Sequence, residues 1–116
     1  MPDHRTHRGP HPEDTGLFAP AALPSLRAAT GDLSWLLTRG YASPSALKVV
    51  GDRYELNARQ RIAVMRCACS DAAREARGAR RVPPELLADA LDGRPLLIDG
   101  YNALTTVEAA LGGGVI

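Results

Sequence analysis

The chain has 116 residues, a formal net charge of +1 and two cysteines. This length suits one modest domain, or a small domain together with the beginning of another. No apolar run approaches the ~18 residues of a membrane-spanning helix, and no secretory signal follows Met1. We therefore expect a cytoplasmic protein without a membrane partner, in which Cys67 and Cys69 stay reduced because they point to nearly opposite faces of a predicted helix.

Charge is distributed unevenly along the chain. Between residues 48 and 81, nine basic side chains stand against four acidic ones, a balance of +5, which leaves −4 for the remainder. Such an asymmetry indicates a polyanionic partner for the middle segment. The alternative is a solvated helical face in an arginine-rich protein.

Residues 1–20 are rich in His, Pro, Arg and Asp and show no hydrophobic period, which predicts a disordered tail. The first helix is predicted over residues 24–39, because Pro24 suits the first helical position and Gly40 the residue after the end. Its apolar stripe contains Leu26, Leu33, Leu36 and Leu37, with Ala22 and Ala29 beside it.

Two further helices complete a helical module that we place at residues 21–80. One is predicted over residues 43–50 and ended by Gly51. Asn57 and Gln60 form a capping-box pattern that opens the third and longest helix, which Gly78 closes. The periodicity predicts that its apolar face consists of Ile62, Met65, Cys69, Ala72, Ala73 and Ala76.

The remaining residues predict a different kind of structure. Residues 81–93 are assigned to a linker and a short helix, and residues 96–98 to a buried strand. A helix is predicted over residues 103–111. The fold class is therefore mainly α, with a helical N-terminal module followed, in residues 94–116, by the first β-α unit of an incomplete α/β domain. Because a strand needs partners, we expect the chain to be truncated.

Asp99 is the best candidate for chemistry. Ligands of open α/β folds bind at the carboxyl ends of strands, and Asp99 ends the predicted strand. Asn102 is placed to orient it or to contact phosphate at the start of a helix. One carboxylate does not make a catalytic metal site, and beyond Asp99 the chain offers only Glu108. The alternative is that Asp99 is an N-cap or forms a turn.

The candidates for contact with nucleic-acid phosphates are Arg53, Arg59, Arg61 and Arg66, together with the arginines between residues 74 and 81. Arg59 and Arg61 are about 200° apart on a helix, so they cannot line one groove. Trp35 lies off the leucine stripe, where it would either stack on a base or pack against the following helices.

Several blocks together resemble the uncharacterised prokaryotic family known as domain of unknown function 434. They are residues 11–14, 17–18, 32–41, 45–54 and 59–61. In that family a helical region precedes a segment like residues 97–102, Leu-Ile-Asp-Gly-Tyr-Asn, which is similar to the opening of PIN-like nuclease domains of the NYN type.

The second resemblance implies a PIN-like α/β domain that gathers several acids around Mg²⁺ or Mn²⁺ and cleaves RNA. Asp99 matches the first acid, as catalytic residue and metal ligand, and Asn102 matches the asparagine of the motif, whereas the later acids have no counterpart. We expect such a chain to be inactive alone. Two other hypotheses stay open: a non-catalytic RNA-binding or adaptor module, and a partly folded remnant whose unpaired strand favours aggregation.

Overall fold

The computed structural model describes residues 11–113, and every regular element in that range is helical. None of these helices combines the length and the apolar character needed to cross a membrane. The mainly α class is thus confirmed. The elements are α1 (Asp14–Leu17), α2 (Leu23–Thr38), α3 (Ser43–Arg53), α4 (Ala58–Cys67), α5 (Asp71–Arg80), a 3₁₀ turn (Pro84–Leu86) that runs into α6 (Leu87–Leu91), and α7 (Gly100–Leu111).

Helix α2 lies at the centre of the fold and packs against α3, α4 and α5. Leu26, Ala29 and Leu33 recur at helical spacing and are buried, and Leu33 has no exposed surface. The predicted apolar stripe is confirmed. A leucine buried in this way contributes about 1.5–3 kcal/mol relative to an exposed one, so this stripe supplies much of the driving force for the helical body.

The rest of the core comes from α3, from the corner that follows it and from α4. Its buried side chains are Ala46, Val50, Leu56 and Val64. The predicted core face of the third helix is wrong at Ile62, which is 53% exposed, while Val64 faces the core. The corner between α3 and α4 sets the rotation of α4 about its own axis, and a count of periodicity does not contain that information.

The single long helix predicted over residues 57–78 is two helices. Its predicted start is confirmed, since Asn57 and Gln60 form the capping box of α4. The chain then turns at Ala68 (φ −95°, ψ 143°), and the Ser70 side chain accepts the Ala73 N–H as N-cap of α5. Thr38 on α2 accepts the Asp71 N–H through Oγ1 at 3.0 Å. Serine favours a cap over a helix interior because its hydroxyl competes for backbone groups.

Residues 96–98, predicted as a strand, form none, and no strand is present in residues 11–113. Leu97 is 95% exposed. A strand is stabilised by hydrogen bonds to a neighbouring strand, and the described residues provide no neighbour. The β-α unit is therefore not observed. Its helix is, but α7 begins at Gly100, earlier than predicted, and Asp99 is its N-cap.

Residues 11–20, assigned from sequence to a tail, contain α1. Phe18, just beyond α1, packs against the buried core. Asp14 on α1 pairs with Arg59 on α4. This part of the predicted tail is therefore attached to the helical body, whereas residues 1–10 lie outside the described range.

Candidate nucleic-acid interface

Arg59 is held in a two-pronged ion pair. Its Nε lies 2.7 Å from Oδ1 of Asp14, and its Nη2 lies 2.9 Å from Oδ2. The Asp14 side chain is only 11% exposed. The hydrogen bonds from Arg59 lower the pKa of Asp14, and the same contact raises the pKa of Arg59. The arginine's planar fork thus ties α1 to α4.

Arg61 is also engaged within the chain. Its Nε donates to the carbonyl oxygen of Leu56 at 2.8 Å, and its Nη2 donates to Oδ1 of Asp52 at 2.9 Å. The hydrogen bond from Arg61 is the main reason that the pKa of Asp52 is lowered, and Lys48 adds to the effect. This guanidinium closes the corner between α3 and α4, so its donors are turned inward.

The other two predicted arginines are more open. Arg53 has its Nε 3.8 Å from Oδ2 of Asp32, and its guanidinium lies 5.4 Å from the ring centre of Tyr54. Its side chain is 70% exposed. Arg66, in the last turn of α4, is exposed and has no ion-pair or hydrogen-bond partner for its side chain within residues 11–113. Of the four arginines, Arg66 is thus the most accessible to a phosphate.

Helix α5 carries three more arginines along one side. Arg74, Arg77 and Arg80 are spaced by three residues, so they fall within about 120° of the helix circumference. Arg74 has a long contact of 3.9 Å with Asp71. Arg77 and Arg80 are exposed and form no ion pair inside the described range. Arg81, directly after the helix, lines a shallow hollow of about 380 Å³.

The exposed arginines Arg66, Arg74, Arg77, Arg80 and Arg81 will be called the arginine ridge. All five had been named from the sequence as candidates for contact with phosphates, Arg66 by itself and the others as the arginines between residues 74 and 81. No sequence signal identified Asp14 as the partner of Arg59, because the two residues are 45 positions apart.

Asp99 has a structural role at the start of α7. Its Oδ1 accepts the Asn102 N–H at 3.2 Å, and its Oδ2 accepts the Asn102 side-chain amide at 2.6 Å. The structure thus brings Asp99 and Asn102 together, in the arrangement of a helix cap. No group of three His, Cys, Asp or Glu side chains suited to a metal occurs in residues 11–113.

Trp35 lies at the edge of a groove between α2 and α3. Its ring is 54% exposed, and the Arg39 guanidinium lies 3.4 Å from the ring centre. One face of the indole is therefore covered by a cation from its own helix. The groove has a volume of about 440 Å³ and is lined by Gly31, Asp32, Trp35, Leu36, Val49, Val50 and Arg53.

Comparison with known proteins bears on the helical body. Residues 25–80 match the family described as "Protein of unknown function (DUF434)". The match extends from α2 to the end of α5 and supports the resemblance predicted for this part of the chain. The DUF434 match leaves residues 97–102 outside it, and their likeness to PIN-like nucleases gains no support.

A curated relative is an uncharacterised protein of Methanocaldococcus jannaschii. It is 32% identical over 92 residues, which make up 79% of this chain and 42% of the relative. The chain thus spans less than half the length of that protein. No solved structure matches the chain.

Proposed function

We propose that this chain is a non-catalytic RNA-binding module that holds the phosphate backbone on the arginine ridge. The observation that supports it is that some arginines are held in short ion pairs while others are exposed. Arg59 and Arg61 are neutralised by short ion pairs with Asp14 and Asp52. Among residues 11–113, the only ion pair of the ridge is the long 3.9 Å contact of Arg74 with Asp71.

Arginine suits this task because its planar guanidinium offers five donors in a fixed fork that matches a phosphate. An exposed cluster of such groups attracts a polyanion at long range and gains further when condensed counterions are released. The ridge consists of arginines alone, which have the chemistry to position a phosphate backbone. Binding should therefore depend on charge and salt more than on sequence.

The experiment is fluorescence anisotropy of a labelled single-stranded RNA, titrated with the full chain at several salt concentrations. If four arginines each neutralise one phosphate, log Kd should rise against log salt with a slope of roughly 3, since each phosphate contributes roughly 0.7. Arg77→Gln and Arg80→Gln should each weaken binding and lower that slope by roughly 0.7.

Arg94→Gln is the matched control, because it removes the same charge from an exposed residue outside the helical body. It should leave both affinity and slope close to those of the unchanged chain. Equal losses for Arg77→Gln and Arg94→Gln would mean that only net charge matters. An affinity insensitive to salt would rule out binding through phosphates.

The second candidate is the metal-dependent ribonuclease implied by the PIN-like resemblance. The observation in its favour is that the Asp99 carboxylate and the Asn102 amide lie 2.6 Å apart at the start of α7. The variant Asp99→Asn distinguishes the two candidate functions, because it removes the carboxylate that the ribonuclease would need and should leave RNA binding by the ridge intact. A titration with Mg²⁺ and Mn²⁺, followed by amide NMR shifts of residues 100–102, tests the ribonuclease candidate. The ribonuclease candidate requires that the metal shift the amide signals of residues 100–102 in the unchanged chain and not in Asp99→Asn.

A further inference from the structure

Trp35 presents an open aromatic face beside the groove between α2 and α3. The guanidinium of Arg39 lies 3.4 Å from the ring centre and covers one of the two faces of the indole. Trp35 is nevertheless 54% exposed. Because one face is covered, an exposure of this size requires that much of the other face be open to solvent. That second face is available to stack on a planar group.

The groove that Trp35 lines has room for such a group. Its volume of about 440 Å³ falls within the ~300–1,000 Å³ that is typical of small-molecule sites. Gly31 lines the groove one turn before Trp35 on α2, and no atom lies within 4 Å of the position that its Cβ would take. The missing side chain at Gly31 therefore keeps the groove open next to the indole ring.

The two charges that line the groove are paired with each other. Nε of Arg53 lies 3.8 Å from Oδ2 of Asp32, and the same oxygen accepts the Tyr54 hydroxyl at 2.6 Å. The other lining side chains are apolar, namely those of Trp35, Leu36, Val49 and Val50. Such a groove gives no advantage to an ion. It suits a neutral, flat group, which gains from stacking and from the loss of apolar surface to water.

The arginine ridge begins close to this ring. Thr38 accepts the Asp71 N–H through Oγ1 at 3.0 Å, so the end of α2 touches the start of α5. Trp35 precedes Thr38 by three residues, which correspond to ~4.5 Å along a helix and ~60° around it. Arg74, the first ridge residue on α5, follows Asp71 by the same interval. A polymer whose phosphates lie on the ridge can therefore bring one of its own groups to the ring.

We propose, on the basis of the function proposed above, that Trp35 stacks on an unpaired base of the RNA whose phosphates lie on the arginine ridge. Arg39 is exposed and forms no ion pair within residues 11–113, so its charge is available to the phosphate of the same nucleotide. Stacking tolerates any base, because every base has a π-face. It also selects single strands, whose bases can be splayed out onto an aromatic side chain. The groove thus adds a preference for single-stranded RNA to the salt-dependent hold of the ridge.

The experiment uses Trp35 as its own reporter, because it is the only tryptophan in the chain. The full chain is titrated with a short oligoadenylate and with an abasic strand of the same length, at several salt concentrations. Tryptophan fluorescence reports stacking, and the anisotropy of the labelled strand reports binding. The oligoadenylate should quench the fluorescence with the Kd that anisotropy gives. The abasic strand should bind in a salt-dependent way and cause little quenching.

Two variants remove the stack without removing a charge. Trp35→Leu keeps an apolar side chain beside the groove, and Gly31→Leu fills the groove with a residue that favours a helix. Each should weaken binding of the oligoadenylate roughly 5–100-fold, which corresponds to the ~1–3 kcal/mol that stacking contributes per base. The slope of log Kd against log salt should stay that of the unchanged chain, because no phosphate contact is lost. Tyr101→Leu, which removes an exposed aromatic ring from α7, is the matched control and should bind normally.

The results distinguish stacking from binding on the ridge. Salt-dependent binding that is equal for the two strands, and unchanged in Trp35→Leu and Gly31→Leu, would overturn stacking and leave the ridge in place. Equal quenching by the two strands would also overturn stacking, since the phosphate backbone alone would account for it. Binding that is insensitive to salt, with quenching that Gly31→Leu abolishes, would overturn the ridge and support stacking. Binding of neither strand would overturn both.

Discussion

The guanidinium of Arg61 lies over Gly51 and fills the space that a side chain there would need. A Cβ at residue 51 would lie 2.5 Å from Cζ of Arg61. Gly51 is buried inside α3, where alanine would be the better helix former. The glycine therefore permits Arg61 to reach the Leu56 carbonyl, which closes the corner between α3 and α4.

This relationship predicts a coupling between residues 51 and 61. With Arg61→Ala in place, Gly51→Ala should stabilise the protein by up to ~1 kcal/mol through helix propensity. With Arg61 present, the same change should give no gain or a loss, because the Leu56 carbonyl loses its donor at a cost of ~1–3 kcal/mol. Urea unfolding of the four proteins measures both effects. Equal effects of Gly51→Ala in the two backgrounds would contradict the contact.

The ion pair between Asp14 and Arg59 predicts how stability depends on pH. The pKa of Asp14 in the folded chain is lowered from its ordinary 3.8, chiefly by the hydrogen bonds from Arg59. A carboxyl whose folded pKa is depressed stabilises the protein fully above the unfolded pKa. That contribution should shrink as pH falls below 3.8 and vanish below the folded pKa.

Urea unfolding between pH 7 and pH 2 measures this, with Asp14→Asn as the test variant. The variant should be less stable than the unchanged chain at pH 7, and the two should converge in acid. Asp92→Asn, which removes the same charge from an exposed residue, is the control for the loss of a carboxylate. A gap between Asp14→Asn and the unchanged chain that is constant with pH would assign the loss to packing instead.

The backbone conformation of Glu55 predicts that a substitution there stabilises the protein. Its φ is +51°, the left-handed region that residues with a side chain adopt at a cost. That conformation costs a residue with a side chain ~1–2 kcal/mol. Glycine avoids this cost, but its unfolded chain is more flexible, which lowers the free energy of unfolding by ~0.5–1 kcal/mol. Glu55→Gly should therefore stabilise the protein modestly. Glu55→Gln, which removes the charge and keeps the strain, should not, and a matching gain for both would point to charge.

The role of Asp99 as N-cap of α7 predicts that two substitutions of this residue differ in their effect on helix stability. Asp99→Ala removes both acceptors used by Asn102 and should cost α7 about 1 kcal/mol of helix stability. Asp99→Asn retains a side-chain oxygen and should preserve the cap. Because α7 has few tertiary contacts in the described chain, the loss should appear as faster amide exchange over residues 102–104. Unchanged exchange in Asp99→Ala would remove the structural role assigned to this residue.

The sequence by itself determined the helices of the body and much of their packing. Proline and glycine marked the bounds of α2, the capping box fixed the start of α4, and the spacing of Leu26 and Leu33 identified the core stripe. These features are local. A helix forms its backbone hydrogen bonds within one segment, and its buried side is marked by apolar residues that recur every three to four positions. The prediction failed at Ser70, where the serine caps α5 instead of continuing a helix.

Only the tertiary structure decided which charges are available and which apolar segments find partners. Arg59 and Arg66 are equivalent in sequence, but Asp14 reaches one of them from the far end of the chain and no acid in the described range reaches the other. The strand predicted at residues 96–98 failed for the same reason, since a strand exists only with a neighbour. Interactions between distant residues leave no periodic trace in one sequence, so the pairing of Arg59 with Asp14 could be found only in three dimensions.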